Sequence, residues 1–592
     1  MTLRLSAPPP QAAASTQGRK AVSGGTVLLR KLSALVAVTA LLLWAVRRAL
    51  PAGSDLVNWG GLALLDDLAA TVLRPSLEPD FLQVVLEATA TTLALALLGT
   101  AGALVLGLVG GLILSDVAWG DAPPWPVRVG RLVLRGVLVA VRSVHELVWA
   151  LLFVSVLGLD PLVAVLALTL PFGAQSAQVF GETFDSVPDA PLRALRTAGA
   201  RPFSALAYAL LPGTAPLLLS YSFYRFECAL RSAVVLGVAG VGGLGFELTV
   251  SLQSRNWGEV WTLVATLLAL AGVVELWSNR VRSDVAVVTC ADWSVGHERP
   301  REAGQSAKGQ AAKGQAAKGQ APKGRSPDGL SRSTRWSLML VLPTVVLAWW
   351  WVGLSPAGLT SPRTHELTAQ LIGDMWPPEL PDGGMRVLAD ATFDTLAMAV
   401  LAMVVAVVIT LLVGPWASRP RADRRGPAAW GRWTAWWVSR LLLLVLRSIP
   451  PTVWAVVALL ALFPGVLPGA LALGLYTGGV LGRLVAEAWE TMDLRPRDSL
   501  RDSGVPRVVA AVASVAPPSA NHLLTYTLYR FEICVRDTAI VGVVGAAGLG
   551  RLLSERLGAF DFSVVTSVLL ASLLVSLTVE CVGRRLRRAL RT

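Results

Sequence analysis

Two short charged runs hold the residues best suited to chemistry: Tyr224-Arg225-Phe226-Glu227 with Arg231, and Tyr529-Arg530-Phe531-Glu532 with Arg536. The second follows the first at an offset of 305 residues. Glu227 and Arg231 stand four residues apart, as do Glu532 and Arg536, a spacing that closes a salt bridge within a helix. Arg225 and Arg530 have no obvious local partner. A guanidinium fork grips an oxyanion through paired hydrogen bonds, so two such arginines facing one axis would form a relay for an anion. The alternative is that these charges pair among themselves and fix helix packing, as buried ions often do.

A glycine track follows each run. Gly240, Gly242 and Gly245 spell the dinucleotide pattern G-x-G-x-x-G, but that pattern needs a strand before it, and here an apolar run of membrane length precedes it. Ala547 breaks the pattern in the second copy. Both copies keep Gly237, Gly240, Gly243 and Gly245, matched by Gly542, Gly545, Gly548 and Gly550. Small residues at this spacing let backbones approach closely and permit a bent re-entry, as a gate would need. No G-x-x-x-x-G-K-[ST] run occurs, so any ATP-driven work must draw on another subunit. His145, His297, His365 and His522 form no H-E-x-x-H, and Cys228, Cys290, Cys534 and Cys581 form no C-x-x-C, so reduced thiols are expected. The sequence predicts no catalytic centre, no metal and no cofactor.

Helices must position these groups. Of 592 residues, 54% are hydrophobic and only 15% charged, which marks an integral membrane protein. The net charge of +13 comes from arginines clustered at the ends of apolar runs, a topology signal rather than a nucleic-acid stripe. Apolar runs predict helices over about 30–48, 87–114, 143–158, 161–180 and 259–278, with another beginning after Pro212 and carrying the first motif. The second half repeats them over about 337–354, 390–415, 441–463 and 467–486, with two more after Pro517. Acidic residues between 53 and 80, and basic ones at Arg128, Arg131, Arg135 and Arg142, place the latter in a cytoplasmic loop and both termini in the cytoplasm. Residues 1–25 read as a disordered cytoplasmic start, and 283–335, with its AKGQ repeats, as a flexible basic linker.

Arg142-Ser143 matches Arg447-Ser448, Trp149 matches Trp454, Gly199 matches Gly504 and Pro212 matches Pro517, all at one offset. An even number of spans in each half gives both halves one orientation. The fold expected is therefore an all-α polytopic membrane protein of two parallel homologous repeats, about six transmembrane helices each, with a pathway between them. The repeats are assigned to residues 26–282 and 336–592.

Between the fourth and fifth span of each half lies a polar loop. Ala194, Leu195, Gly199, Leu211 and Pro212 mark the first, and Asp498, Gly504 and Pro517 the second. Their pattern resembles the EAA signature of ABC importer permeases, a short helix, a glycine turn and a second helix that dock on a soluble ATPase, although Arg193 stands where that signature has Glu. The other reading is an ordinary loop punctuated by Gly and Pro. Upstream, Glu182 and Asp185 match Glu487 and Glu490, either as a latch to loop arginines or as a solvated helix end.

The runs at 142–153 and 242–248, the Gly199–Pro212 loop and Tyr-Arg-Phe-Glu with Arg231 together resemble the phosphonate ABC transporter permease family. The likeness covers about 85–280 and, more diffusely, 390–588. His145 and Pro451 depart from the family's Pro-Glu at the start of the third span of each half. The resemblance implies a type I importer permease with two permease domains fused in one chain. It implies a cytoplasmic ABC ATPase dimer and an extracytoplasmic substrate-binding protein as partners, in a lipid membrane, with phosphonate or a related phosphorus oxyanion as cargo. An ion-coupled secondary transporter of a small anion is the alternative, since such carriers also use parallel repeats and buried charges.

Overall fold

The computed structural model describes residues 24–51, 53, 55–119, 124–187, 190–296, 332–419, 427–490 and 492–591. The expected disordered start and the linker assigned to 283–335 fall outside these residues except at their edges. There helix already includes Gly24, continues past residue 283 to Gly296, and resumes at Arg332.

The first half comprises α1 (Gly24–Ala49), α2 (Trp59–Ala70), α3 (Pro79–Leu114), α4 (Trp125–Ser143), α5 (Glu146–Leu157), α6 (Pro161–Ser186), α7 (Ala190–Thr197), α8 (Pro202–Ala205), α9 (Leu211–Leu236), α10 (Leu244–Gln253) and α11 (Trp257–Gly296). The second half repeats that order. It runs through α12 (Arg332–Val352), α13 (Pro362–Asp374), α14 (Gly384–Ala417), α15 (Pro427–Ser448), α16 (Pro451–Ala461) and α17 (Val466–Glu490). It ends with α18 (Arg495–Asp502), α19 (Arg507–Ser514), α20 (Ala516–Val543), α21 (Leu549–Gly558) and α22 (Phe562–Arg591). Among the described residues seven helices are long and apolar enough to cross a membrane, nine if each bent pair counts as one span.

Two expectations change. The basic stretch at 128–142 is not a loop but helix α4, whose arginines recur at helical spacing along an otherwise apolar segment. It bends by 91° into α5, and α15 bends by 90° into α16. The bend follows from local chemistry: His145 Nδ1 accepts the Leu147 N–H at 3.1 Å and starts a new helix, while Pro450-Pro451 ends α15 and opens α16. The helix bearing the first motif also begins earlier than Pro212, since α8 runs through a π turn at Leu206–Leu210 into α9.

Each half is built on one tight helix pair, α3 with α6 and α14 with α17. In the first half a Cβ on Gly102 would lie 2.5 Å from Thr169 Oγ1, and in the second a Cβ on Gly474 would lie 2.6 Å from Val405 Cβ. These are equivalent contacts with the glycine moved to the opposite helix. One member must be Gly for the backbones to approach, and either will do.

The first helix of each half packs on the other half. Ala45 and Ala49 of α1 lie in the core formed by Ala397, Met398 and Val400 of α14, and Arg48 bridges Asp390 and Asp394 at 2.9 and 2.6 Å. Ala348 of α12 joins the core around Leu95 of α3, and the Trp351 indole donates to Thr91 Oγ1 at 3.3 Å. Leu41, Leu43, Val105, Leu132, Leu342 and Trp350 leave a broad apolar exterior, suited to lipid.

Candidate functional site

The first motif lies on α9. Arg231 donates to Glu227 at 2.8 Å, as its spacing predicts, and Arg282 of α11 reaches the same carboxylate at 3.7 Å. The second motif differs. Glu532 takes Arg587, the equivalent of Arg282, at 3.5 Å, while Arg536 donates to the carbonyl of Arg142 at 2.8 Å. The expected Glu532–Arg536 bridge is thus replaced, because the open carbonyl end of α4 competes for Arg536. Arg225 is buried, donates to Tyr221 Oη at 2.5 Å and lies over the ring of Phe172 at 4.6 Å. Its equivalent Arg530 is also buried, with Nε and Nη2 unpartnered. Across the two halves it is Tyr224 and Tyr529 that come within electrostatic range of each other.

Sequence reasoning missed the ionic seam between the halves. Arg142 at the end of α4 pairs with Glu580 of α22 at 2.6 Å. The equivalent Arg447 of α15 pairs with Glu275 of α11, which Arg483 of α17 also holds. Beside the first pair, His145 Nε2 lies 3.4 Å from the Glu146 carboxylate and 3.8 Å from that of Asp537, and Ser232 donates to Glu146 at 2.5 Å. The available signal was Glu275 and Glu580, two acids inside apolar helices at the repeat offset.

At the far end of α9 the glycine track turns the chain back on itself. A π turn at Gly237–Val241 leads through Gly240, Gly242 and Gly243, at φ of +87°, +93° and +81°, into α10. A Cβ on Gly245 would lie 1.8 Å from the Val234 carbonyl oxygen, and one on Gly237 would lie 2.5 Å from the Phe246 nitrogen. In the second half a Cβ on Gly550 would meet the Ala539 carbonyl oxygen at 2.7 Å, and one on Gly542 would meet Gly550 at 2.7 Å. Gly545 and Gly548 turn the chain there at φ of +112° and +85°. A threonine from the long helix secures each return: Thr92 Oγ1 accepts the Leu244 N–H at 2.8 Å, and Thr395 Oγ1 the Leu549 N–H at 2.9 Å. This is helix capping supplied from another helix.

At the near end stand the two hairpins. α7 and α8 are joined through Gly199 at φ +83°, and α18 and α19 through Gly504 at φ +84°. Gly199 N–H donates to Arg196 O and Gly504 N–H to Arg501 O, both at 3.0 Å; Ala200 and Val505 close the next turn onto Leu195 and Leu500 at 3.0 and 3.1 Å. Ala194, Pro212, Asp498 and Pro517 are exposed, while Leu195 and Leu211 are half-buried. Of the acids upstream, Asp185 accepts from Ser115 at 2.6 Å and from the Val117 N–H at 3.1 Å. Glu490 accepts from the Arg419 N–H at 2.7 Å and pairs with Arg440 at 2.6 Å. These bonds tie the end of α6 to that of α3, and the end of α17 to that of α14. Glu182 accepts from Gln178 at 3.0 Å, and Glu487 from Arg483 at 2.6 Å.

Comparison with known proteins places these features. The family described as "Binding-protein-dependent transport system inner membrane component" matches residues 107–281 and 427–592. The "Phosphate-import permease protein PhnE" of Mycolicibacterium smegmatis is 27% identical over 83% of this chain and 82% of its own length. The "Phosphite transport system permease protein PtxC" of Stutzerimonas stutzeri is 35% identical over 36% of this chain and 76% of its own. A solved inward-facing MetNI methionine ABC transporter aligns with 35% of this chain and 97% of its own at 21% identity, with a TM-score of 0.31. The two family matches fall one in each repeat and together span more than half of the sequence, so the chain belongs to the inner membrane components of binding-protein-dependent transport systems, the non-catalytic permeases of ABC importers.

Proposed function

We propose that this permease forms the translocation path for a phosphorus oxyanion, whether phosphonate, phosphite or phosphate, powered by a separate cytoplasmic ATPase dimer and supplied by an extracytoplasmic binding protein. The observation that carries the ATPase dimer is the pair of exposed hairpins. Each turns at a glycine with the same φ and the same closing hydrogen bonds, at equivalent places in the two halves. Two equivalent sockets suit two copies of one partner. The relatives' names support the oxyanion, and so does the guanidinium group of Arg530 buried on α20. The glycine returns lie at the opposite end, where delivery by a binding protein would open a gate. In this orientation the hairpins and both termini face the cytoplasm, and residues 26–282 and 336–592 are the two permease domains.

The test is uptake in proteoliposomes that contain the chain, its ATPase and its binding protein. ATP-dependent accumulation of phosphonate, phosphite or phosphate is expected. Uptake that ignores ATP and follows a proton or sodium gradient would replace this reading with an ion-coupled carrier.

A further inference from the structure

The repeat supplies its own control, because equivalent residues can be compared within one molecule. Around Arg225 the first half is closed. Its guanidinium bonds the Tyr221 hydroxyl and lies over Phe172, with Nε buried and unpartnered, and Ser222 beside it donates to the Leu218 carbonyl at 2.8 Å. At the equivalent positions of the second half Phe172 becomes Thr477, Ser222 becomes Thr527 and Arg225 becomes Arg530. There Arg530 Nε and Nη2 and Thr527 Oγ1 are buried and unpartnered, and Thr477 Oγ1 has only the Cys534 thiol beside it. Thr527 sits one turn before Arg530 on α20. Thr477 reaches in from α17 beside Cys534, which lies one turn after Arg530 and within its electrostatic range. The nearby acid, Asp537, lies two turns along and faces His145 at 3.8 Å, so it tempers the charge without satisfying the donors.

Buried donors without acceptors are rare, and each carries the full penalty of its lost hydration. A cluster of donors converging from two helices with one cation among them has one chemical complement, a compact acceptor with several oxygens and negative charge. We infer that the two halves handle cargo unequally, and that the second half alone holds an oxyanion subsite built from Arg530, Thr527 and Thr477. The inference rests on the reading of the chain as a phosphorus-oxyanion importer and narrows it to one side of the pseudo-symmetric path. The first half has lost the subsite, since Phe172 occupies the place of Thr477 and turns Arg225 into a packing residue.

The test uses the full chain with its ATPase and binding protein for uptake, and the purified full chain in phosphate-free detergent for binding. Inorganic phosphate, phosphite and methylphosphonate are the probes. Arg530→Gln and Thr477→Phe should each lower ATP-driven uptake about tenfold or more, and should abolish the rise in melting midpoint that the transported anion gives the wild type. Arg225→Gln should keep both within about twofold, since on this reading its guanidinium touches only protein groups. The anion-free melting midpoint shows that each variant is folded, and Thr477→Phe copies a residue that the first half already accommodates. Folded Arg530→Gln and Thr477→Phe proteins with wild-type uptake and wild-type anion stabilisation would overturn the subsite. Equal losses in folded Arg225→Gln would overturn the asymmetry. Stabilisation by phosphatidic acid and by none of the three anions would assign the donors to a lipid headgroup and overturn a cargo role. A wild type that transports none of the probes with ATP, yet is stabilised by them through Arg530, would count against the importer reading while leaving the subsite standing.

Discussion

Gly245 and Gly550 are fixed by main-chain atoms, which sets them apart from glycines whose neighbours could move. Replacing either with Ala drives a methyl group into a carbonyl oxygen, of Val234 or of Ala539, so that the main chain of the return itself must shift. Gly245→Ala and Gly550→Ala should each destabilise the purified chain by on the order of 3 kcal/mol, read as a lowered melting midpoint. Gly136→Ala in α4, where a Cβ meets nothing within 4 Å, should instead raise stability by about 0.8–1 kcal/mol through helix propensity. The glycine positions were legible because residue type and offset repeat together. Their threonine anchors were not, because Thr92 and Thr395 cap N–H groups 152 and 154 residues away and carry no local signature. The second Glu-Arg pair shows the opposite failure. Spacing alone permitted Glu532–Arg536, but Arg587 and the carbonyl end of α4 compete for its members, and a rule about neighbours on one helix cannot weigh partners from two others.

At the scale of elements, the hairpins were legible in outline. Gly199 and Gly504 punctuate polar stretches, and both adopt the left-handed conformation that the punctuation implies. Nothing lies within 4 Å of a Cβ at either turn, so the first side-chain carbon meets no clash, and Val there bears the backbone strain of a positive φ, about 1–2 kcal/mol at each turn and confined to an exposed hairpin. Gly199→Val with Gly504→Val should therefore lower the melting midpoint of the isolated chain only modestly while ATPase retention on co-purification and ATP-driven uptake both fall strongly. Retention at the wild-type level would show that these hairpins are not the docking elements. The bent pairs were less legible. The apolar run at 143–158 matches α5 apart from its first residues, where a side chain and not a proline restarts the helix. The run at 441–463, read as one span, instead breaks between Ser448 and Pro451. Only the second half advertises the break, through Pro450-Pro451. α20 lacks the apolar length of a span by composition, although its place in the repeat matches α9, because Asn521-His522 stand in its first half where α9 has an apolar run.

For the whole molecule, order and parallel repetition could be read from one offset, whereas the exchange of α1 and α12 could not. A first helix next to two homologous repeats satisfies the same apolar pattern on either one, and only the folded arrangement shows that each crosses over. That crossing and the ionic seam make the halves one unit, and the seam is unequal in a way that can be measured. Arg142 is the partner shown for Glu580, whereas Glu275 is held by Arg447 and Arg483 together, because the position of Arg483 is filled in the first half by the neutral Gln178. Removing one member of a buried pair leaves an uncompensated charge, a loss of about 3–5 kcal/mol, while removing both with residues of similar volume is often neutral. Arg142→Met should thus destabilise the chain strongly, and Arg142→Met with Glu580→Met should recover most of that loss. Arg447→Met should be the milder single change, since Arg483 still neutralises Glu275. Thermal melting of the three purified proteins decides it. Equal losses for Arg142→Met and Arg447→Met would show that the third charge does not stabilise the second half of the seam. A double variant no better than Arg142→Met would show that the pair contributes through packing and not through charge.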